Sequence, residues 1–308
     1  MKLSRVLAQV TLLLLLSSIC LAQDQQNPGT VNPTSGPPNL MLLVHQEVQP
    51  GKASDRQRLE ISIARAADRL NAPNFWLGMQ SMTGTRETVF LDPFDSFERL
   101  EQAGSDWARF FSAHQDVAHM RDELDSLLVS DRTTIAIRRD DLGYLLESID
   151  LTAARFLRII EVRVFPGHEN DFSAAARSMA DARANLKINS PFVVYQVNAG
   201  LPTPAYLIVF PLSSLSEDDN SLTWDEGSEN LAKEESLEKF RQIARDSISS
   251  TLGNLYMIHP EVSHVPEDFA SEDPDFWRPT GKAESTGKPP ADPGPNYSKK
   301  TPYAKPNH

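Results

Sequence analysis

Arg158-Ile159-Ile160-Glu161-Val162-Arg163-Val164-Phe165-Pro166-Gly167 repeats, 116 residues on, the pattern of Leu42-Leu43-Val44-His45-Gln46-Glu47-Val48-Gln49-Pro50-Gly51. Each is an alternating, β-branched run closed by Pro-Gly, a pair that punctuates the passage from strand to helix. After the first pair, Leu59, Ile63, Ala66, Ala67 and Leu70 fall on one helical stripe; after the second, Phe172, Ala175, Ala176, Met179 and Leu186 do the same. That spacing predicts an amphipathic helix packed on a sheet. Both stripes stop before a proline, Pro73 and Pro191, and strands are predicted at 75–81 and 192–198, then at 87–91 and 206–210.

A second helical stretch follows in each copy. It carries Phe97, Leu100, Trp107, Phe110, Phe111, Val117, Leu124 and Leu128 in the first, and Leu231, Leu237, Phe240, Ile243, Ile248 and Leu252 in the second. Closing strands are expected at 133–138 and 254–259. Each copy therefore reads β-α-β-β-α-β. Such a unit alone leaves one sheet face bare, and two units cover each other. The predicted fold is α+β: two tandem ferredoxin-like βαββαβ repeats, residues 39–150 and 151–266, forming a single-chain pseudo-dimeric α+β barrel.

Outside the repeats the composition changes. Lys2 and Arg5 precede an apolar run from Val6 to Leu16, too short to span a bilayer, and Cys20 and Ala22 stand at the −3 and −1 positions of a cut before Gln23. Residues 1–22 are expected to be a signal peptide, and the protein to be exported to a periplasmic or extracellular space. An uncleaved anchor and a lipidated Cys20 are the alternatives. Cys20 is the one cysteine, so a chain cut after Ala22 would have no disulfide and no thiolate metal site. Residues 23–38 read as a polar, flexible leader, and 267–308 as a Pro/Lys-rich disordered tail, with almost no aliphatic residue after 279. No second long apolar stretch is present, and a net charge of −12 argues against a nucleic-acid partner.

Strand alternation makes the sharpest chemical prediction. If Val44, Gln46 and Val48 face the helices, then Leu43, His45 and Glu47 face the barrel interior, and the aligned Pro-Gly pairs put Ile159, Glu161 and Arg163 there too. His45, Glu47, Glu161 and Arg163, with Tyr195, Gln196 and Tyr256, are the candidate ligand-binding set. Two carboxylates, an imidazole and a guanidinium are able to hold a polar ligand or move a proton. The same groups are equally able to neutralise one another, Arg163 with Glu161 or Glu47.

The other histidines lack the spacing of a zinc helix, and His114 and His119, five apart, do not share a helix face. Trp76 and Trp107 read as core residues. The sequence contains no Gly-rich phosphate loop and no Gly-x-Ser-x-Gly elbow, so it does not assign a reaction.

The stretch from Ile160 to Gly167, with Phe172 five residues on, resembles the opening of NIPSNAP-type domains. These belong to the dimeric α+β barrel (ferredoxin-like) superfamily, together with antibiotic-biosynthesis monooxygenases and haem-degrading enzymes. The first copy keeps Glu47 and Pro50-Gly51 but has Gln49 where the second has Phe165. The resemblance spans about residues 40–262. It implies that the tandem copies build within one monomeric chain the barrel that single-domain relatives make by dimerising.

The stretch Ala113-His114-Gln115-Asp116-Val117-Ala118-His119 resembles the His-bearing helix of the haem-degrading relatives, which makes His114 and His119 the haem candidates. The second copy has no equivalent His, and no other cofactor is expected. Three functions follow: a module binding a small, partly apolar ligand; a cofactor-free or haem-dependent monooxygenase-like enzyme; and a structural or interaction protein using its tail.

Overall fold

The computed structural model describes residues 35–221 and 235–278. The expected signal peptide, most of the leader, Leu231 and the tail beyond 278 lie outside the described residues.

The elements fall into two series of like order. Strand β1 (Leu40–Val48) leads to helix α1 (Ala53–Leu70), then β2 (Leu77–Ser81), β3 (Glu87–Phe94), helices α2 (Phe97–Ala113) and α3 (Gln115–Ser126), and β4 (Leu128–Arg138). The second series is β5 (Phe156–Val164), α4 (Glu169–Asn185), β6 (Val193–Ala199), β7 (Ala205–Leu212), α5 (Glu235–Ser247) and β8 (Ile248–Ile258). Two short helices follow, α6 (Glu267–Ser271) and α7 (Pro274–Trp277).

All eight strands close into one antiparallel barrel in the order β1-β3-β2-β8-β5-β7-β6-β4. Within each series the order is the same: β4-β1-β3-β2 and β8-β5-β7-β6. The seams between series are short, Met79–Ser81 on β8 and Ile135–Arg138 on β6. Backbone details recur at matching places. Gly51 and Gly167 take φ of 80° and 91° after their prolines, a turn that only glycine makes without steric cost. Asn71 and Lys187, just past α1 and α4, take left-handed φ of 52° and 53°.

Several predicted boundaries move. The closing strands are longer than expected, because β4 and β8 pair with β1 and β5 along their whole length. Ile248 and Leu252 therefore belong to β8, not to a helix; the Ser249-Ser250-Thr251 run between them favours strand pairing over helix. The second helical stretch of the first series breaks at His114, with Leu128 already in β4.

Residues 267–277 are a further correction: they are not a disordered tail. Helices α6 and α7 bring Phe269, Ala270 and Trp277 into the interior core, and Trp277, 2% exposed, donates its indole N–H to the Thr152 carbonyl at 2.9 Å. Ile149, Leu151 and Ala154, from the segment joining the two series, pack there as well. The end of the expected leader is also docked, since Leu151 donates its N–H to the Ser35 carbonyl and Tyr195 its hydroxyl to the Pro38 carbonyl. One end of the barrel is thus filled with apolar side chains.

Candidate functional site

Alternation along the strands separates two environments. Odd-numbered β1 and β5 residues point inward: Met41, Leu43, Leu157 and Ile159 join the interior core, and His45, Glu161 and Arg163 reach the end left open. Even-numbered residues such as Val44 and Gln46 face the helices. Each environment contains a cavity.

The barrel mouth encloses about 460 Å³. His45, Glu161, Arg163 and Tyr256 line it, joined by Glu87 and Arg132. His45 Nδ1 lies 3.0 Å from Glu87 Oε1, Arg132 donates to Glu87 Oε2 at 3.0 Å, and the Tyr256 hydroxyl donates to Glu87 at 3.4 Å. Burial alone would raise the Glu87 carboxyl; the hydrogen bond and charge of His45, then Arg132 and Tyr256, outweigh it, and Glu87 titrates below its ordinary value. Burial and the neighbouring Glu87 charge push the Tyr256 hydroxyl up. Arg163 donates Nε–H to Glu161 at 2.8 Å. The mouth charges are therefore largely matched among themselves.

Three predicted members sit elsewhere. Glu47 accepts from Ser130 at 3.4 Å and is not among the residues lining the mouth. Tyr195 points inward but at the filled end, 1% exposed, where burial raises its hydroxyl pKa. Gln196, next along the strand, must point the opposite way, and it accepts from Arg139 at 2.8 Å on the outer face. Glu87 and Arg132 were missed because β3 and β4 reach the mouth only through their register with β1, where Glu47 faces Glu87 and His45 faces Arg132.

The second cavity lies between the first series of strands and its helices. It is an open cleft of about 530 Å³, within the range of small-molecule sites. Its walls are mainly apolar: Val44, Phe90, Ile63, Leu124, Trp76, Trp107 and Phe111. Trp107 stacks on Phe111 with ring centres 5.2 Å apart and approaches Trp76 at 6.1 Å. Alternation sends Phe90 and Asp92 of β3 to this side, and α2 opens room by carrying Gly104 there, where an added Cβ would meet nothing within 4 Å.

Most polar groups of the cleft have a charged or hydrogen-bonding neighbour. Arg56 and Glu60 form an ion pair at 2.6 Å across one turn of α1. Burial still pushes Glu60 up and Arg56 down despite that contact. Gln46 accepts from Arg56 and donates to Asp131 at 3.0 Å. Trp76 donates Nε1–H to the Val262 carbonyl at 2.8 Å, and Trp107 Nε1 lies 3.1 Å from the Asn74 side-chain amide, whose oxygen accepts from it once the amide is turned by 180°. Arg121 lies over the Phe111 ring and 4.0 Å from Asp125. Asp92 alone has no hydrogen-bond or ion-pair partner among the described residues. Burial, with no neighbouring cation to offset it, pushes its carboxyl up to about 7.

Sequence reading passed over this cleft. It took Trp76 and Trp107 as core and ended the third strand at 91, one residue short of Asp92; the one available signal was an aspartate on the helix-facing side of β3. His114 and His119 do not line the cleft: His114 packs its ring on Phe110 between α2 and α3, and His119 is exposed. No His, Cys, Met or Tyr is among the residues lining it, so they offer no axial ligand for a haem iron. Among the described residues no cluster of three His, Cys, Asp or Glu is placed to hold a metal, and no helix is long and apolar enough to cross a membrane.

No protein-family model matches the sequence, and neither does any curated protein. Solved structures do. An anthrone oxidase-like protein is similar over 73% of this chain and 93% of its own, at 11% identity and a TM-score of 0.48. A variant chlorite dismutase from Candidatus Nitrospira defluvii is similar over 77% and 96%, at 9% identity and a TM-score of 0.45. A haem-binding protein from Thermus thermophilus is similar over 76% and 96%, at 8% identity and a TM-score of 0.43. The likeness is in the path of the backbone.

Proposed function

We propose that the protein is a small-molecule-binding α+β barrel, exported after loss of residues 1–22, and that its ligand occupies the cleft between the first sheet half and helices α1, α2 and α3. The observation that carries this reading is a cavity of about 530 Å³, walled by Trp76, Trp107, Phe90 and Phe111, into which a single unpartnered carboxyl projects. Apolar walls with one or two converging polar groups are what small-molecule sites are made of. The barrel mouth fits a ligand less well, because Glu87 and Glu161 already accept from His45, Arg132 and Arg163. The matching turns at Gly51 and Gly167 and the shared strand order support a tandem duplication, in which one copy keeps a cleft.

The test is titration with N-phenyl-1-naphthylamine, a neutral apolar probe that fluoresces when shielded from water. Saturable binding is expected, weakened by roughly tenfold or more in Gly104→Trp, whose indole enters open space in the cleft. Far-ultraviolet circular dichroism checks that the variant folds. Binding that does not saturate, or that the folded variant retains in full, overturns the reading.

A further inference from the structure

Resting on the cleft as the ligand site, we infer the class of ligand: an organic cation with an apolar body, its ammonium against Asp92 and its body between Trp76, Trp107 and Phe111.

The ligand must match what the cleft leaves unsatisfied. Both indole N–H groups and the Gln46 amide are engaged, and the largely exposed Arg121 guanidinium lies over the Phe111 ring, 4.0 Å from Asp125. The acceptor that remains is Asp92. A ligand able to complete this site therefore brings a donor rather than an acceptor. A half-buried carboxylate with no cation beside it gains from one that pairs with it, and an ammonium supplies the charge and the hydrogen bonds together. The walls point the same way. Trp and Phe faces attract cations through their ring quadrupole, Trp most strongly, and two indoles and two phenyl rings line the cleft. A ligand anion would meet Asp92 and Glu60 in the same space, with Arg121 as its one favourable contact. A neutral ligand would fill the apolar volume and leave the charge of the carboxylate unmatched.

Three compounds with one body and three heads separate these cases: 4-phenylbutylamine, 4-phenylbutanol and 4-phenylbutyrate, each measured by displacement of the naphthylamine probe and by indole fluorescence at pH 8.5. The amine is expected to bind roughly tenfold or more tightly than the alcohol. In Asp92→Asn that preference should vanish while the alcohol keeps its affinity, and Asp92→Glu should restore part of it. Equal binding of amine and alcohol, a preference that survives in Asp92→Asn, or tightest binding of the butyrate through Arg121 each overturns the inference. If the naphthylamine binds and none of the three displaces it, the cation reading fails while the cleft reading stands. If the naphthylamine does not bind either, the site itself is wrong.

Discussion

The two halves of the barrel share a strand order and differ in what lies between sheet and helices. Leu40 faces Phe94 at the start of the first half as Phe156 faces Leu212 at the start of the second, so their positions can be matched one by one. Arg56 corresponds to Phe172, Glu60 to Ala176, Gln46 to Val162, Thr88 to Tyr206 and Asp92 to Phe210. In the second half these residues make a continuous core, with Phe172 stacked on Tyr206 at 4.0 Å and Phe192 against Phe210 at 5.3 Å. In the first half the same places hold a polar set, and the aromatic residues move outward onto α2 and around a cleft. One backbone plan thus supports, among the described residues, a half with an aromatic core at these positions and a half with a cleft there. The difference is made by side-chain volume and polarity at a handful of positions.

The comparison is most exposed at Phe172. Truncating it to alanine removes a ring that is 3% exposed and stacked, and should lower stability by about 3–5 kcal/mol in urea denaturation. A loss below about 1 kcal/mol would mean that the second half is not packed as its contacts imply.

Asp92→Asn tests the half with the cleft and has the opposite sign. Folding raises the Asp92 pKa from the ordinary carboxylate range to about 7, so the unfolded chain releases this proton first. Stability contributed by this group is therefore present below about pH 4, falls as pH rises to about 7, and stays low above that. The asparagine variant, still burying an amide, should be more stable than wild type by about 2–3 kcal/mol at pH 8, and the gain should be gone near pH 4. Glu60 and Arg121 also line the cleft, but each keeps its ion-pair partner in the variant. A gain independent of pH would remove the buried carboxyl from the explanation.

The smallest effect belongs to the barrel mouth. Arg163 and Glu161 pair at 2.8 Å but remain 40% and 20% exposed, so Glu161→Gln should change stability by less than about 1 kcal/mol. A larger loss, measured in the same denaturation series, would make the mouth a structural keystone.

Much of the fold is legible in the sequence, because its signals are local. A period of two in Leu43, His45 and Glu47 and in Ile159, Glu161 and Arg163 placed those side chains on the interior side, and the mouth contains three of the four charged or imidazole groups so predicted. The same rule should have separated Tyr195 from Gln196, which as neighbours on one strand cannot share a face. Where local signals competed, reading was poorer. Ile248 and Leu252 fit a helical stripe as well as a strand, and pairing with β5 decided for the strand. Phe269, Phe276 and Trp277 were the warning in the tail, an aromatic cluster ahead of the Pro/Lys-rich stretch, and the filled end of the barrel is where they are used.

The sequence by itself determined the alternation, the two Pro-Gly turns and the matching series of strands and helices, since each depends on residues close together in the chain. Tertiary structure alone decided that a cleft opens in the first helix–sheet layer. Asp92 on β3, Trp76 ahead of β2, Trp107 on α2 and Arg121 on α3 meet only when the sheet is closed and the helices are laid across it. Whether a space remains among them depends on the sum of their volumes, a quantity that no single stretch of sequence contains.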